Sequence, residues 1–157
     1  SISKNYGISG WRLGYVITNE ELIYQILKIN QHVITCPSTI LEYYIAKYFD
    51  EIIKITKPQI KKVVMGRAKV CDYLDSKGLE YSEGDAAWYI FLSIKKSKLT
   101  SDEFCTELLR KHHVSCVPGI GYGKTCDKFI RVCVGSESWD RITKGIDIIS
   151  NLIDKTS

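Results

Sequence analysis

The sequence predicts a layered α+β domain in which a small β-sheet is flanked by helices. Apolar residues recur at helical spacing from Leu22 to Gly78 and again after Glu137. Between these two regions, short segments are continuously apolar, which is typical of buried strands. With 157 residues and 45% hydrophobic composition, the chain is long enough to bury a core between these layers.

The first predicted elements are a short strand over 13–17 and a helix that follows it. Asn19 can begin this helix, because its side-chain oxygen can accept a hydrogen bond from an unpaired N–H group of the first turn. The apolar residues of the helix fall on one stripe, as burial of one face requires. They are Leu22, Ile23, Ile26 and Leu27.

Two further helices are predicted before the pattern changes. Pro37 and Ser38 mark a new start, from which helical periodicity continues to about Ile55. Pro58 begins the next helix, since proline is favoured at the first helical position, where an N–H group is not needed. Gly78 is a natural terminator for it.

Beyond this glycine, three strands alternate with two helices. The strands are predicted over 87–94, 114–117 and 129–134. Thr100 or Ser101 can cap a helix over 102–113, between the first two strands. The last helix, over about 137–154, repeats isoleucine at three- and four-residue spacing, which predicts one buried face.

Charge and hydropathy favour a protein of the cytoplasm with neither a nucleic-acid nor a membrane partner. The net charge is +4, and the basic residues cluster only at Lys61-Lys62 and over 95–98. Such weak clustering is typical of a solvated surface. No apolar run has the length needed to span a bilayer, and the first residues do not resemble a signal peptide.

The six cysteines do not form a metal motif, because no two of them have the two-residue gap of zinc or redox sites. We expect reduced, structural thiols, with Cys71, Cys105 and Cys133 packing as small hydrophobic residues. His112 and His113 are adjacent at the end of a predicted helix. Interaction of a protonated imidazole with the helix dipole is preferred there over metal binding.

The opening segment, SISKNYGISGWRLGY, combines groups that suit a phosphorylated aldehyde. Its glycines allow close approach of a backbone, its serine hydroxyls can donate to phosphate oxygens, and the guanidinium of Arg12 suits a phosphate dianion. Lys4 adds an amine that can attack a carbonyl and form a Schiff base. A solvent-exposed lysine and arginine without any ligand are the alternative.

This segment resembles, almost position for position, the cofactor-lysine signature of the class I/II aminotransferases, the fold-type I enzymes that use pyridoxal 5′-phosphate. The resemblance implies that Lys4 forms the Schiff base with the cofactor and later moves the proton between the substrate's α-carbon and the cofactor. It also implies that Ser1 and Arg12 bind the cofactor phosphate. Tyr6 and Trp11 are expected to pack as framework.

Two later stretches are similar to the same family. GDAAWYIFLSI resembles a strand of the small domain, with Asp85-Ala86 in place of the usual small pair. VSCVPGIGYGKTCDKFIRVCVG resembles a Val-x-Val-x-Pro-Gly-x-x-Phe-Gly stretch followed by an Ile-Arg strand, with Tyr122 where phenylalanine is commoner. The resemblance implies that Arg131 binds the α-carboxylate of the substrate. A structural salt bridge to a protein carboxylate is the alternative for an arginine within an apolar strand.

The resemblance implies the carboxy-terminal portion of an aminotransferase that moves an amino group between an amino acid and a 2-keto acid. Residues 1–33 are then the end of the large cofactor-binding domain, and residues 34–157 form the small domain. Family members are about twice this length or more and carry the partner of the cofactor ring before the lysine. We therefore expect this chain alone to be inactive. The resemblance also implies that the longer protein is a homodimer. A lyase, decarboxylase or synthase of the same fold, or a non-catalytic binding module, are the alternatives.

Overall fold

The computed structural model describes residues 2–82, 84 and 87–157. The chain divides into two compact units, Ser1–Lys61 and Lys62–Ser157. In chain order the helices and strands are α1 (Ile2–Asn5), α2 (Glu20–Val33), α3 (Thr39–Ser76), β1 (Tyr89–Ser93), α4 (Ser101–His112), β2 (Val117–Pro118), β3 (Phe129–Cys133) and α5 (Trp139–Lys155). Short 3₁₀ helices lie at Ser9–Trp11, Gly119–Tyr122 and Lys124–Cys126.

The first unit contains α1, α2 and the first part of α3. The strand predicted over 13–17 is wrong, because these residues have no regular secondary structure. A strand is stabilised by hydrogen bonds to a neighbouring strand. The described residues of this unit include no strand that could pair with it.

The helix predicted after Asn19 is confirmed as α2. The Asn19 side-chain oxygen accepts a hydrogen bond from the Leu22 N–H at 2.9 Å, and two glutamates in the first turn favour the positive end of the helix dipole. Nevertheless, no α2 residue is buried. Leu22 and Leu27, on the apolar stripe, are about half exposed.

The two helices predicted on either side of Pro58 are continuous with each other within α3, which remains helical through the proline. Pro58 therefore does not begin a helix, although it removes one backbone donor from the helical ladder. The backbone nevertheless stays helical on both sides of the proline. The break in α3 lies instead at Tyr48, whose dihedral angles are non-helical, so α3 consists of two helical segments joined at a kink ten positions before the proline.

The second unit contains a three-stranded antiparallel sheet in the order β1-β3-β2. Phe91 of β1 and Val117 of β2 both pair with Arg131, so this arginine lies in the middle of the central strand. All three predicted strands exist, but each is shorter than predicted, β3 by one residue. Ala87 has a positive φ of 63°, which keeps it out of β1. Residues 114–116 are not paired in the sheet, so β2 begins at Val117.

The core lies between one face of this sheet and the helices. Alternate residues of β1 and β3 point into it, together with residues of α3, α4 and α5. Leu92, Phe104, Leu108 and Ile130 have no exposed surface. The small sheet and its helical layer confirm the predicted α+β class.

Helices α4 and α5 begin and end close to their predicted limits. Thr100 and Glu103 form a reciprocal capping box at the start of α4. His112 is the last residue of the helix, and His113 is its C-cap residue with a left-handed φ of 57°. The helix therefore ends within one residue of its predicted end. None of the helices that the structure describes is both long enough and apolar enough to cross a bilayer.

All six cysteines are free thiols. Burial raises the pKa of Cys105 to about 11 and that of Cys116 to about 12, so neither forms a thiolate at neutral pH. Cys71 is partly buried and Cys105 is buried, as predicted. The prediction for Cys133 is wrong, since it is exposed. Strand alternation places it on the same side of β3 as Arg131, away from the core.

Candidate functional site

The opening segment turns sharply twice. Lys4 lies in the single turn of α1, which ends before Gly7. Gly7 has a φ of 67°, a conformation that glycine adopts without strain. Arg12 follows the 3₁₀ helix Ser9–Trp11 and has a left-handed φ of 55°, which is uncommon for arginine.

Two buried residues and two aromatic contacts anchor this segment within the first unit. Ile2 and Leu13, near its two ends, are 6% and 8% exposed. The Tyr6 ring meets Phe49 edge-on with centroids 5.7 Å apart, and the Trp11 ring meets Tyr44 at 5.5 Å. The prediction that Tyr6 and Trp11 pack as framework is therefore confirmed.

The two basic side chains of the segment are exposed. Arg12 Nη1 donates a hydrogen bond to the Ser9 carbonyl oxygen at 3.1 Å. In the part of the chain that the structure describes, no carboxylate lies within 4 Å of the Lys4 amine or the Arg12 guanidinium. Ser1 lies outside the described residues. An amine and a guanidinium with no acidic partner among the described residues suit an aldehyde and a phosphate dianion.

Arg131 lies between two tyrosine rings in the second unit. Its guanidinium carbon is 4.4 Å from the ring centre of Tyr89 and 5.5 Å from that of Tyr122. Both distances are within the range of cation–π attraction. Phe91, directly opposite Arg131 in β1, meets the Tyr122 ring edge-on at 5.1 Å. We call Tyr89, Phe91, Tyr122 and Arg131 the aromatic face.

The internal salt bridge considered for Arg131 is not found among residues 2–82, 84 and 87–157, where no carboxylate lies within 4 Å of its guanidinium. The side chain is partly buried. Its donors can therefore meet a carboxylate that comes from a ligand, and the planar guanidinium can bind both oxygens of such a group.

The loop that carries Tyr122 is fastened by a residue of α4. Ser101, which is fully buried, donates from its N–H and its hydroxyl to Asp127 Oδ1, at 3.1 and 2.8 Å. The same hydroxyl accepts a hydrogen bond from the Ile120 N–H at 3.1 Å. These bonds connect both ends of the loop over 119–127 to the start of α4.

Sequence reasoning missed the two tyrosines around Arg131 and the Ser101–Asp127 contacts. Part of the signal was present, because residues 89, 91, 129 and 131 have the same parity along two paired strands and must share one face. Asp127 gave no such signal. It lies 26 residues from Ser101, and only the folded chain brings them together.

A cavity of about 600 Å³ lies elsewhere in the second unit. Its walls include the end of α4, residues 114–116 and one side of α5. Val132 and Cys133 of β3 line it, but none of the four residues of the aromatic face does. The cavity is therefore separate from the aromatic face.

Comparison with known proteins identifies the family to which the chain belongs. The family model "Aminotransferase class I and II" matches residues 1–148, so the chain belongs to that family. The resemblance predicted from the opening segment is confirmed.

Individual relatives agree with this result. The chain is 33% identical over 154 residues to the (5-formylfuran-3-yl)methyl phosphate transaminase of Methanocaldococcus jannaschii, covering 98% of this chain and 40% of that protein. It is 29% identical to an aspartate aminotransferase of Pyrococcus abyssi, over 96% of this chain and 39% of the relative. The structure matches an aromatic aminotransferase from Pyrococcus horikoshii with a TM-score of 0.82 and 26% identity, over 98% of this chain and 41% of the other. The chain thus spans about 40% of the length of these relatives.

Proposed function

We propose that the whole protein is a pyridoxal 5′-phosphate-dependent aminotransferase that moves an amino group between an amino acid and a 2-keto acid. The observation that carries this proposal is the state of Arg131. It is a part-buried arginine on a strand of an aminotransferase fold, flanked by two aromatic rings. No protein carboxylate is paired with it among the described residues.

The side chains of the opening segment fit the proposed cofactor in chemical type. Lys4 supplies an amine for the aldehyde, and Arg12 supplies a guanidinium for the phosphate. Ser1 is assigned to the same phosphate from the resemblance alone. When bound, pyridoxal 5′-phosphate supplies the aldehyde and a conjugated ring that delocalises the electrons released at the substrate's α-carbon.

Lys4 has two roles in the proposed reaction. Its Nζ would hold the aldehyde of the cofactor. The same Nζ, as a free amine, would accept the proton from the substrate's α-carbon and act as the general base. The exposed position of Lys4 at the end of α1 supports this proposal, because a substrate could reach the amine.

Arg131 has an orienting role. Two parallel N–H donors of its guanidinium bind the α-carboxylate oxygens, which fixes the rotation of the substrate about its α-carbon. The rings of Tyr89 and Tyr122 restrict the guanidinium by cation–π contact. A lysine could not replace it, since an ammonium group cannot make the bidentate contact.

The proposal extends to the organisation of the whole protein. Residues 1–33 would complete a large cofactor-binding domain, and residues 34–157 would form the small domain of a cytoplasmic homodimer. The 157-residue chain by itself would not transaminate, because the family's ring-binding residues precede the lysine. This assignment is supported by the share of its relatives that the chain covers, about 40%.

Replacement of Lys4 in the longer protein tests the proposed reaction. Lys4→Ala is expected to lower kcat by on the order of 10²–10⁴-fold or more, because the general base is lost. Borohydride reduction with the cofactor present should attach a phosphopyridoxyl group to the peptide that contains Lys4, as measured by mass spectrometry. Lys28→Ala, which removes an exposed lysine of α2, is the matched control and should leave both results unchanged.

Two kinds of outcome would contradict the proposal. The first kind concerns the role of Lys4: either full activity in Lys4→Ala or labelling at a different lysine would contradict that role. The other concerns the isolated chain: stoichiometric labelling at Lys4 together with transamination would show that the preceding region is not required.

A further inference from the structure

In the described part of the chain, the loop over 119–127 is hydrogen-bonded to α4 through a single residue, Ser101. Its first residue, Gly119, lies so close to the carbonyl oxygens of Cys126 and Phe129 that a Cβ atom would overlap both. The loop therefore closes tightly on itself. Beyond this closure, the described hydrogen bonds that attach it to α4 all meet at the buried Ser101 side chain and backbone.

The two rings beside Arg131 are positioned by different means. Tyr89 belongs to β1 and pairs with Cys133 of the central strand, so the sheet fixes its backbone. Tyr122 belongs to no strand; it ends the 3₁₀ helix Gly119–Tyr122 inside the loop. The position of Tyr122 therefore depends on how the loop is attached to the rest of the unit, whereas the position of Tyr89 does not.

From these contacts, we propose that Ser101 and Asp127 are positioning residues that hold Tyr122 against Arg131 and thereby orient the guanidinium for a carboxylate. The inference rests on the proposed function, in which Arg131 binds the α-carboxylate of the substrate. Its geometric part, from Ser101 through the loop to the Tyr122 ring, can be measured without any substrate.

The ionisation of Asp127 agrees with this arrangement. Hydrogen bonds from the Ser101 hydroxyl and N–H lower the pKa of the Asp127 carboxyl below its usual value of 3.8. The carboxylate is thus charged at neutral pH, and hydrogen bonds to a charged acceptor are stronger than those between neutral groups. The nearby Thr100–Glu103 capping box stabilises the same helix end but has no hydrogen bond to the loop.

Four substitutions separate positioning from stability. Ser101→Ala and Asp127→Ala remove the contacts to the loop. Asp127→Asn is the conservative variant, because its amide oxygen can still accept both hydrogen bonds. Thr100→Ala is the matched control, since it weakens the start of α4 without touching the loop.

The first measurement is the NMR signal of the Arg131 side-chain Nε–H group in the 157-residue chain, assigned with Arg131→Lys. Aromatic rings shift the resonances of protons that lie over them. Ser101→Ala and Asp127→Ala are expected to move this signal towards that of a free arginine, as Tyr122→Ala should. Tyr122→Phe, Asp127→Asn and Thr100→Ala should leave it in place.

The second measurement is the kinetics of the longer protein. Ser101→Ala and Asp127→Ala should raise the KM for the amino acid by about three- to tenfold, the worth of one or two hydrogen bonds, with kcat changed less. Asp127→Asn should restore the KM. Thr100→Ala should lower the unfolding midpoint without this change in KM.

The outcomes distinguish this inference from the proposed function. If Ser101→Ala and Asp127→Ala leave the Arg131 signal where Thr100→Ala leaves it, the positioning role is wrong, whatever the kinetics. If Ser101→Ala does not fold, the comparison of Asp127→Ala with Asp127→Asn decides in the same way. If the signal moves as expected but Arg131→Lys keeps the parent KM, the positioning geometry stands and the carboxylate role of Arg131 fails.

Discussion

The two compact units differ in how they use their apolar residues. Fourteen hydrophobic residues of the second unit form one buried cluster. In the first unit, the described hydrophobic residues that are buried are Ile2 and Leu13. Large apolar side chains of the same unit remain exposed, among them Ile17 at 87%, Ile40 at 80% and Val33 at 71%.

Helices α2 and α5 illustrate this difference in burial. Both carry an apolar stripe at helical spacing, and both form as predicted. Helix α5 buries Ile146 and Ile149 against the sheet, whereas α2 buries none of its residues. Hydrophobic periodicity therefore predicts that a helix forms and which face is apolar, but burial depends on what the rest of the fold places beside that face.

The largest expected effect comes from truncating a core side chain of the second unit. Phe104→Ala should lower the free energy of unfolding by about 3–5 kcal/mol, because Phe104 is fully buried and its removal leaves a cavity. Ile40→Ala, in the first unit, should change it by no more than about 0.5 kcal/mol. Urea unfolding, monitored by circular dichroism, measures both changes. Equal losses of unfolding free energy in the two variants would contradict the difference in burial between the units.

The next effect concerns the close approach of backbone within the aromatic-face loop. Gly119→Ala is expected to cost about 1–3 kcal/mol, because the new methyl group meets backbone oxygens that cannot move aside. Gly121→Ala is the control, since no atom lies within 4 Å of the Cβ it would add. Chemical denaturation compares the two variants, and a cost for Gly121→Ala equal to that for Gly119→Ala would contradict the packing argument.

Helix caps give a smaller effect that should differ between the units. Thr100→Ala should destabilise the second unit by about 1 kcal/mol, because the α4 cap belongs to a helix packed into the core. Asn19→Ala removes an equivalent cap from α2, which has no buried residue. It should increase amide hydrogen exchange in α2 while leaving exchange in β3 unchanged. Faster exchange in β3 would mean that the units unfold together.

The smallest effect is the pH dependence of one surface contact in the second unit. Asp147 accepts a hydrogen bond from the Tyr73 hydroxyl at 2.8 Å and pairs with Lys77 at 2.7 Å. These contacts lower the pKa of Asp147 below 3.8 and raise the pKa of Lys77 above 10.5. The Asp147 contribution is therefore present above pH 3.8 and disappears as the pH falls through its lowered pKa. The Lys77 contribution is present below pH 10.5 and disappears as the pH rises through its raised pKa.

Asp147→Asn should therefore reduce the loss of stability at both extremes of pH. The effect should be small, because solvent screens an exposed pair. Asp154→Asn, on the same helix, removes one charge but leaves the Asp147 contacts intact. It therefore separates the effect of the lost charge from the effect of the lost contacts. Thermal unfolding as a function of pH measures the change. An identical pH profile in Asp147→Asn and the parent would show that the contact does not contribute.

The sequence by itself determined the features that depend on neighbouring residues. The caps at Asn19 and Thr100, the periodicity of the helices and the alternation of β3 are all local, and all were predictable. So was the family, because the opening segment resembles the class I/II aminotransferases and the family model matches residues 1–148.

The features that depend on partners far away in the sequence became clear only from the folded structure. Residues 13–17 have strand-like composition but no partner strand among the described residues of their unit, and α3 continues through Pro58. The tyrosine rings that flank Arg131 come from a strand and a loop, and the loop is attached through Ser101 and Asp127. Such contacts join residues far apart in the chain, so the local sequence pattern does not predict them. They exist only once chain folding has brought both partners together.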